Sequence, residues 1–180
     1  MICRRPFRPR ARRVSLVLMD VDGVLTDGGL PFTGRGPGGR IFDVKDGVGL
    51  FIARRLGLRV GLLSGRGGAD VIERARDLGI EEVHLNAREK LPVYERILVR
   101  LGIGDAEVCY IGDDILDLPV LRRAGLPITP ADGHPDVRRS VPFITRASGG
   151  RGAVREVIDA IVKAQGRWPV VMGWFGGTTT

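Results

Sequence analysis

The chain has 180 residues, 43% of them apolar and 27% charged. That is enough to bury a sizeable core as one domain, and the balance excludes a disordered or bilayer-spanning chain. The net charge of +7 would point to a nucleic-acid partner, but six arginines lie in residues 1–13 and the remainder holds 22 basic against 21 acidic residues.

Residues 1–13, "MICRRPFRPRARR", contain no acid and are expected to form a disordered basic arm, because like-charge blocks are usually solvated. Nucleic-acid binding through this arm is the alternative reading; no nucleic acid is expected as a partner. A strand is predicted over 14–19, ending abruptly at Asp20, with Asp22 and Asp27 close behind. Asp20 and Asp22 are expected to point the same way, as residues i and i+2 of an extended segment do. Two carboxylates so placed repel unless a cation or shared proton compensates. Residues 28–44, rich in Gly and Pro, read as a projecting β-hairpin or flap.

Beyond it, short apolar runs alternate with amphipathic segments. Strands are predicted over 59–63, 83–85, 108–111, 126–129 and 143–145, and helices over 46–56, 69–78, 89–101, 115–124 and 152–165. Gly57, Gly79, Gly102 and Gly125 are placed as left-handed caps. Asp70 and Asp105 read as helix caps. The segment 167–180 has no periodicity and is expected to be a flexible tail, leaving 14–166 as the catalytic domain. Cys3 and Cys109 form no disulfide or metal pattern. No apolar run approaches the ~18 residues that cross a bilayer, so no membrane partner is expected. With no signal-peptide pattern, the expected location is cytoplasmic.

Strand–helix alternation predicts an open, doubly wound parallel α/β sheet. Chemistry in such sheets gathers beyond the carboxyl ends of the strands. Asp20, Ser64 and Asp113 with Asp114 all occupy such positions. Three acids, Asp20, Asp22 and Asp113, are expected to converge as a site for Mg²⁺. Phosphoryl transfer follows: Asp20 as nucleophile, Asp22 as acid and base, with Ser64 and Lys90 holding the phosphoryl oxygens. Lys45 and Arg66 are candidates for pairing an anionic substrate group. Arg74 lies mid-helix, where ordinary surface charge is an equal reading, and Arg151, between glycines, reads as touching substrate from a mobile loop or as merely solvated. His84 and His134 read as ordinary hydrogen-bonded histidines. Asp117 reads as support for Lys90 or Ser64, and the glycines of "GGRG" as a source of mobility.

The motifs "DVDGVLTDG", "LLSGR", Lys90 and "GDDILD", in this order, resemble the haloacid dehalogenase superfamily of Mg²⁺ phosphatases. Over residues 15–168, "FDVKDGVGL", "GDDILDLPVL", "ADGHPDV" and "SGGRGAVREVIDAIVKAQGRW" resemble the 3-deoxy-D-manno-octulosonate 8-phosphate phosphatases. The resemblance implies a Rossmann-like fold, hydrolysis of that eight-carbon sugar-acid phosphate toward lipopolysaccharide, and a homotetramer. It implies Asp20, Asp22 (through its carbonyl) and Asp113 as metal ligands. Asp22, Asp43, Val44, Lys45, Asp46, Gly47, Arg66, Arg74 and Lys90 match substrate-contacting positions, whereas Phe51 stands where some relatives carry arginine.

Only 36 residues separate Asp27 from Ser64, and 22 separate Lys90 from Asp113. Neither gap has room for a cap domain, so a neighbouring subunit is expected to supply the lid. A phosphatase for nine-carbon keto-sugar acids and a catalytically silent tetramer-forming module are the competing functions.

Overall fold

A computed structural model describes residues 6–31 and 39–176, with the backbone of residues 2–3. Its strands are β1 (Ile2–Cys3), β2 (Leu16–Met19), β3 (Arg59–Leu63), β4 (Glu82–His84), β5 (Val108–Ile111), β6 (Leu126–Thr129) and β7 (Phe143–Ile144). They form a single sheet in the order β1-β7-β6-β5-β2-β3-β4. Every neighbouring pair is parallel except β1 with β7. The helices are α1 (Phe7–Ala11), α2 (Val44–Arg55), α3 (Ala69–Asp77), α4 (Lys90–Leu101), α5 (Leu118–Leu121), α6 (Pro135–Ser140), α7 (Ala153–Ala164) and α8 (Trp168–Trp174).

The central strands are apolar throughout because both faces are covered. In β2, Val17 and Met19 join one core with Leu50 and Ile52 of α2 and Val157, Ile158 and Ile161 of α7. Leu16 and Leu18 face the other core, with Tyr94 and Ile97 of α4 and Val120 of α5. Residues 16–19 register against 108–111, so Asp20 and Asp113 emerge from adjacent strands. Strand order reverses between β2 and β5, which makes this the crevice where such sheets bind ligands. Among the described residues there is no separate cap domain, and no helix is long and apolar enough to cross a membrane.

Several expectations need correction. The basic segment is not wholly disordered: β1 pairs with β7, and α1 packs on the sheet with Ala11 fully buried and Phe7 edge-on to Phe143 at 5.4 Å. Its arginines bind carbonyls: Arg10 Nη1 donates to Gly125 O at 2.8 Å, and Arg12 Nε to Ala164 O, near the end of α7, at 3.2 Å. Cations are favoured there by the helix dipole. The tail is likewise helical over α8, with Val171 buried and Trp168 and Trp174 packed on the core. Gly125 is not left-handed; a Cβ there would strike the backbone of Asp105 and Ala106. The helix expected over 115–124 is a 3₁₀ turn, Ile115–Asp117, followed by the short α5. Proline 119 removes one N–H, and the Asp117 carboxylate takes the amides of Asp113 and Asp114. The centre of the hairpin expected over 28–44 lies outside the described residues, and its flanks carry no strand.

Candidate active site

The chain leaves the strand conformation at Met19, and residues 21–26 curl into a turn in which Val24, Leu25 and Thr26 donate to Val21 O. Asp20 stays in line with β2, its N–H donating to Ile111 O at 3.0 Å, and is only 9% exposed. Its Oδ1 accepts from Val21 N at 2.7 Å and its Oδ2 from Lys90 Nζ at 2.8 Å. Lys90 opens α4 and reaches the carboxyl end of β2 from the side, where its second partner is Asp117 Oδ1 at 2.6 Å. Asp117 is fully buried and also accepts from Tyr110 Oη at 2.6 Å.

Asp20, Asp113 and Asp117 offer carboxylate oxygens within 4.8 Å of one another. Burial, opposed by Lys90, pushes Asp20 up to about 6. Burial, with Asp117 and Asp20 adding repulsion, pushes Asp113 up to about 7. Burial alone would lower Lys90, but Asp117 and Asp20 outweigh it and hold the amine above its usual value as an ammonium.

The third carboxylate within reach of Asp20 and Asp113 is therefore Asp117, whereas Asp22, on the curl after Asp20, lines the cavity with its carboxylate held by Arg40. The i, i+2 argument holds only while the chain is extended. Asp117 nevertheless lacks free oxygens: Oδ1 serves Lys90 and Tyr110, and Oδ2 serves the amides of Asp113 and Asp114. Four donors fill its lone pairs, so it supports Lys90 rather than a metal. Asp113 is different, because its buried Oδ1 has no hydrogen-bond partner. That orphaned oxygen beside Asp20, in an all-oxygen donor set, fits a hard divalent cation.

Gly23 closes this corner. Its φ is +84°, and a Cβ there would run into the Asp113 carboxylate. Gly149 and Gly150 are likewise required by contact: side chains would strike the backbone of Gly23 and of Thr26 and Asp27. Gly150 N donates to Val24 O at 2.9 Å. The glycines read as a source of mobility instead let two backbones touch.

A cavity of about 1410 Å³ lies over this cluster, lined among others by Asp20, Asp22, Ser64, Arg66, Lys90 and Asp113. Ser64 is buried at the end of β3, its Oγ accepting from Arg66 N at 3.2 Å. Asp43, Val44, Lys45, Asp46, Gly47 and Arg74 do not line it. Asp43 caps α2 by accepting from Lys45 N at 2.6 Å. Asp46 is 0% exposed and caps α7, taking Gly152 N at 3.2 Å and Arg155 N at 2.8 Å; burial raises its carboxyl above the usual value. Its side chain cannot meet a ligand in this chain. Arg74 lies over Gly47 and pairs with Asp77 at 2.6 Å.

Sequence reasoning missed two cations on the cavity wall, Arg40 and Arg88. Arg88 follows a strand, so the strand-end rule could have found it. Arg40 carries no such signal. It binds both Asp22 and Asp70; Gly68 is the N-cap of α3, and Asp70 lies within its first turn as the partner of Arg40 rather than as the cap. The histidines are ordinary: His84 pairs with Glu82, and His134 caps α6 by accepting from Asp136 N at 3.2 Å.

No protein-family model matches the chain. It is 37% identical over 158 residues to 3-deoxy-D-manno-octulosonate 8-phosphate phosphatase KdsC of Escherichia coli K12, covering 88% of this chain and 84% of that one. To KdsC of Salmonella typhimurium it is 36% identical over 169 residues, with 92% and 90% coverage. The fold superposes on the crystal structure of the same phosphatase from Moraxella catarrhalis, in complex with magnesium, phosphate and KDO, with a TM-score of 0.91. That match has 36% identity and covers 94% and 97% of the two chains. With the ordered strand-end acids and the lysine in place and similarity running through nearly the whole chain, the protein belongs to the 3-deoxy-D-manno-octulosonate 8-phosphate phosphatase family of the haloacid dehalogenase superfamily.

Proposed function

We propose that the protein hydrolyses 3-deoxy-D-manno-octulosonate 8-phosphate to the free sugar acid and inorganic phosphate, a step in making lipopolysaccharide precursors, in the cytoplasm. The observation that carries this reading is the buried Lys90 ammonium bridging Asp20 and Asp117 beside the partnerless oxygen of Asp113. Asp20, Asp113 and the Asp22 carbonyl would hold Mg²⁺, which supplies positive charge for the nucleophile and the transferred oxygens.

Asp20 attacks phosphorus, forming an acyl-phosphate bond as the ester bond to the sugar breaks. Asp22 gives a proton to the departing sugar oxygen. It then takes one from the water that attacks the aspartyl-phosphate, releasing phosphate and restoring Asp20. Lys90, held by Asp117, keeps Asp20 aimed and balances charge on the phosphoryl group, and Ser64 donates from the end of β3. Arg66 on the cavity wall pairs an anionic group of the sugar acid.

The protein acts as a homotetramer in this reading. Asp43 to Gly47 and Arg74 lie off their own cavity, and α2 exposes Val44 (76%), Val48 and Phe51 on its surface. An apolar stripe beside family-matched substrate positions is what a subunit would present to a neighbour's site. The test is phosphate release with Mg²⁺ from the eight-carbon acid phosphate, side by side with its nine-carbon counterpart. The eight-carbon ester should be preferred, chelation should stop turnover, and Asp20→Asn should abolish it with the fold intact. Wild-type rates in that variant, or a fully active monomer by light scattering, would contradict the nucleophile or the shared site respectively.

A further inference from the structure

Arg40 enters the cavity from residues 39–43, ahead of α2, and its side chain is only 6% exposed. Its Nε donates to Asp22 Oδ1 at 2.6 Å and its Nη2 to Asp22 Oδ2 at 3.1 Å. This is a side-on fork gripping both oxygens of the carboxylate. The other arm is equally engaged: Nη1 donates to Asp70 Oδ1 at 3.0 Å and Oδ2 at 3.2 Å, and the Arg40 backbone N–H donates to Asp70 Oδ2 at 2.9 Å. Asp70 Oδ1 also accepts from Val71 N at 2.9 Å, in the first turn of α3. Gly68 completes the seat, since a Cβ there would meet Arg40 Nη1 and the Asp70 carboxylate.

A fork with both ends fixed cannot turn, and a carboxylate held by it loses its rotamer freedom. Asp22 needs that help. It stands on a turn rather than a strand, so no sheet hydrogen bond fixes its direction. The fork uses one lone pair on each Asp22 oxygen, so the second on one oxygen can hold the proton that Asp22 gives to the leaving group, while the second on the other stays open to a substrate or water.

We propose that Arg40 is a positioning residue for the phosphatase reaction: anchored on Asp70, it aims the protonated Asp22 carboxyl group at the leaving oxygen and then holds the carboxylate toward the attacking water. The inference rests on the reading of Asp22 as the proton carrier and goes beyond it by naming the residue that makes it effective. Its consequence depends on the leaving group. An alkoxide needs a proton as it departs, and a nitrophenolate does not. Loss of aim should therefore slow alkyl phosphates much more than aryl phosphates.

The experiment measures kcat/KM of the Mg²⁺-loaded enzyme for the eight-carbon acid phosphate or another sugar phosphate, and for p-nitrophenyl phosphate. Wild type is compared with Arg40→Ala, Arg40→Lys, Asp70→Asn and Asp22→Asn. The alkyl-to-aryl ratio should fall by about 10- to 100-fold in Arg40→Ala, chiefly through kcat. It should fall less in Asp70→Asn and be partly restored in Arg40→Lys, which keeps the charge without the fork. Asp22→Asn should shift the ratio at least as far. If Arg40→Ala fails to fold in a thermal melt, Arg40→Lys and Asp70→Asn carry the same comparison. An unchanged ratio in the Arg40 and Asp70 variants, with a shifted one in Asp22→Asn, overturns the positioning role alone. An unchanged ratio in Asp22→Asn overturns the acid–base reading and this inference with it.

Discussion

Asp117 shows how much one fully enclosed carboxylate can organise: Lys90, Tyr110 and two backbone amides all converge on it. In Asp117→Asn one oxygen becomes an NH₂ group, and whichever way the amide turns it faces donors. We expect a loss of about 3–5 kcal/mol in stability, as for a buried ion pair deprived of one partner. Phosphate release should fall about 10²–10³-fold. Thermal melts and steady-state rates read both, and a variant matching wild type would show that Lys90 needs only Asp20. Gly23 makes a different kind of demand. Gly23→Ala puts a methyl group into the Asp113 carboxylate at a φ that L-residues avoid, so the Mg²⁺ concentration for half-maximal rate should rise about 10–100-fold.

Elements explain where reading the chain succeeded and where it did not. Strands 59–63, 108–111 and 126–129 coincide residue for residue with β3, β5 and β6, because buried parallel strands are continuous apolar runs. The failures lie in segments whose order comes from distant partners. Residues 1–13 look like a solvated arginine block, yet Phe7, Arg10 and Arg12 are held by Phe143, Gly125 and Ala164, far along the chain. The α8 tail carries no local pattern, but Trp168 and Trp174 find the core, and Arg55 lies 4.3 Å from the Trp174 ring. Removing residues 1–13 should therefore destabilise the protein by about 2–5 kcal/mol through lost apolar burial. That corresponds to a melting point lower by roughly 5 °C or more. A melting curve identical to that of the full chain would mean that the arm adds nothing to the fold.

At the scale of the whole molecule, sheet order and charge act together. The reversal between β2 and β5 sets Asp20 beside Asp113 in a buried crevice, and both carboxyls rise from 3.8 to about 6 and about 7. A folded value above the unfolded one means that the folded state holds extra protons between those pH limits. The associated stability is fully present below 3.8 and is lost as pH climbs through 6 to 7. Mg²⁺ has to replace those protons. The metal-free protein should therefore melt lower at about pH 8 than at about pH 5.5, and added Mg²⁺ should raise the melting point more at the higher pH. An equal Mg²⁺ effect at both values would place the cation elsewhere.

The sequence by itself determined the alternation of strands and helices, the strand-end positions of Asp20, Ser64 and Asp113, and the motif order that marks the family. Each depends on neighbours a few residues apart, through side-chain periodicity and local turn chemistry. Only the tertiary structure decided that Asp117 rather than Asp22 joins the buried carboxylates, that Asp46 caps α7, and that Arg40 grips Asp22 and Asp70. Those choices depend on which side chains meet across 18 to 109 residues of chain. Packing sets such meetings, and no local pattern encodes them.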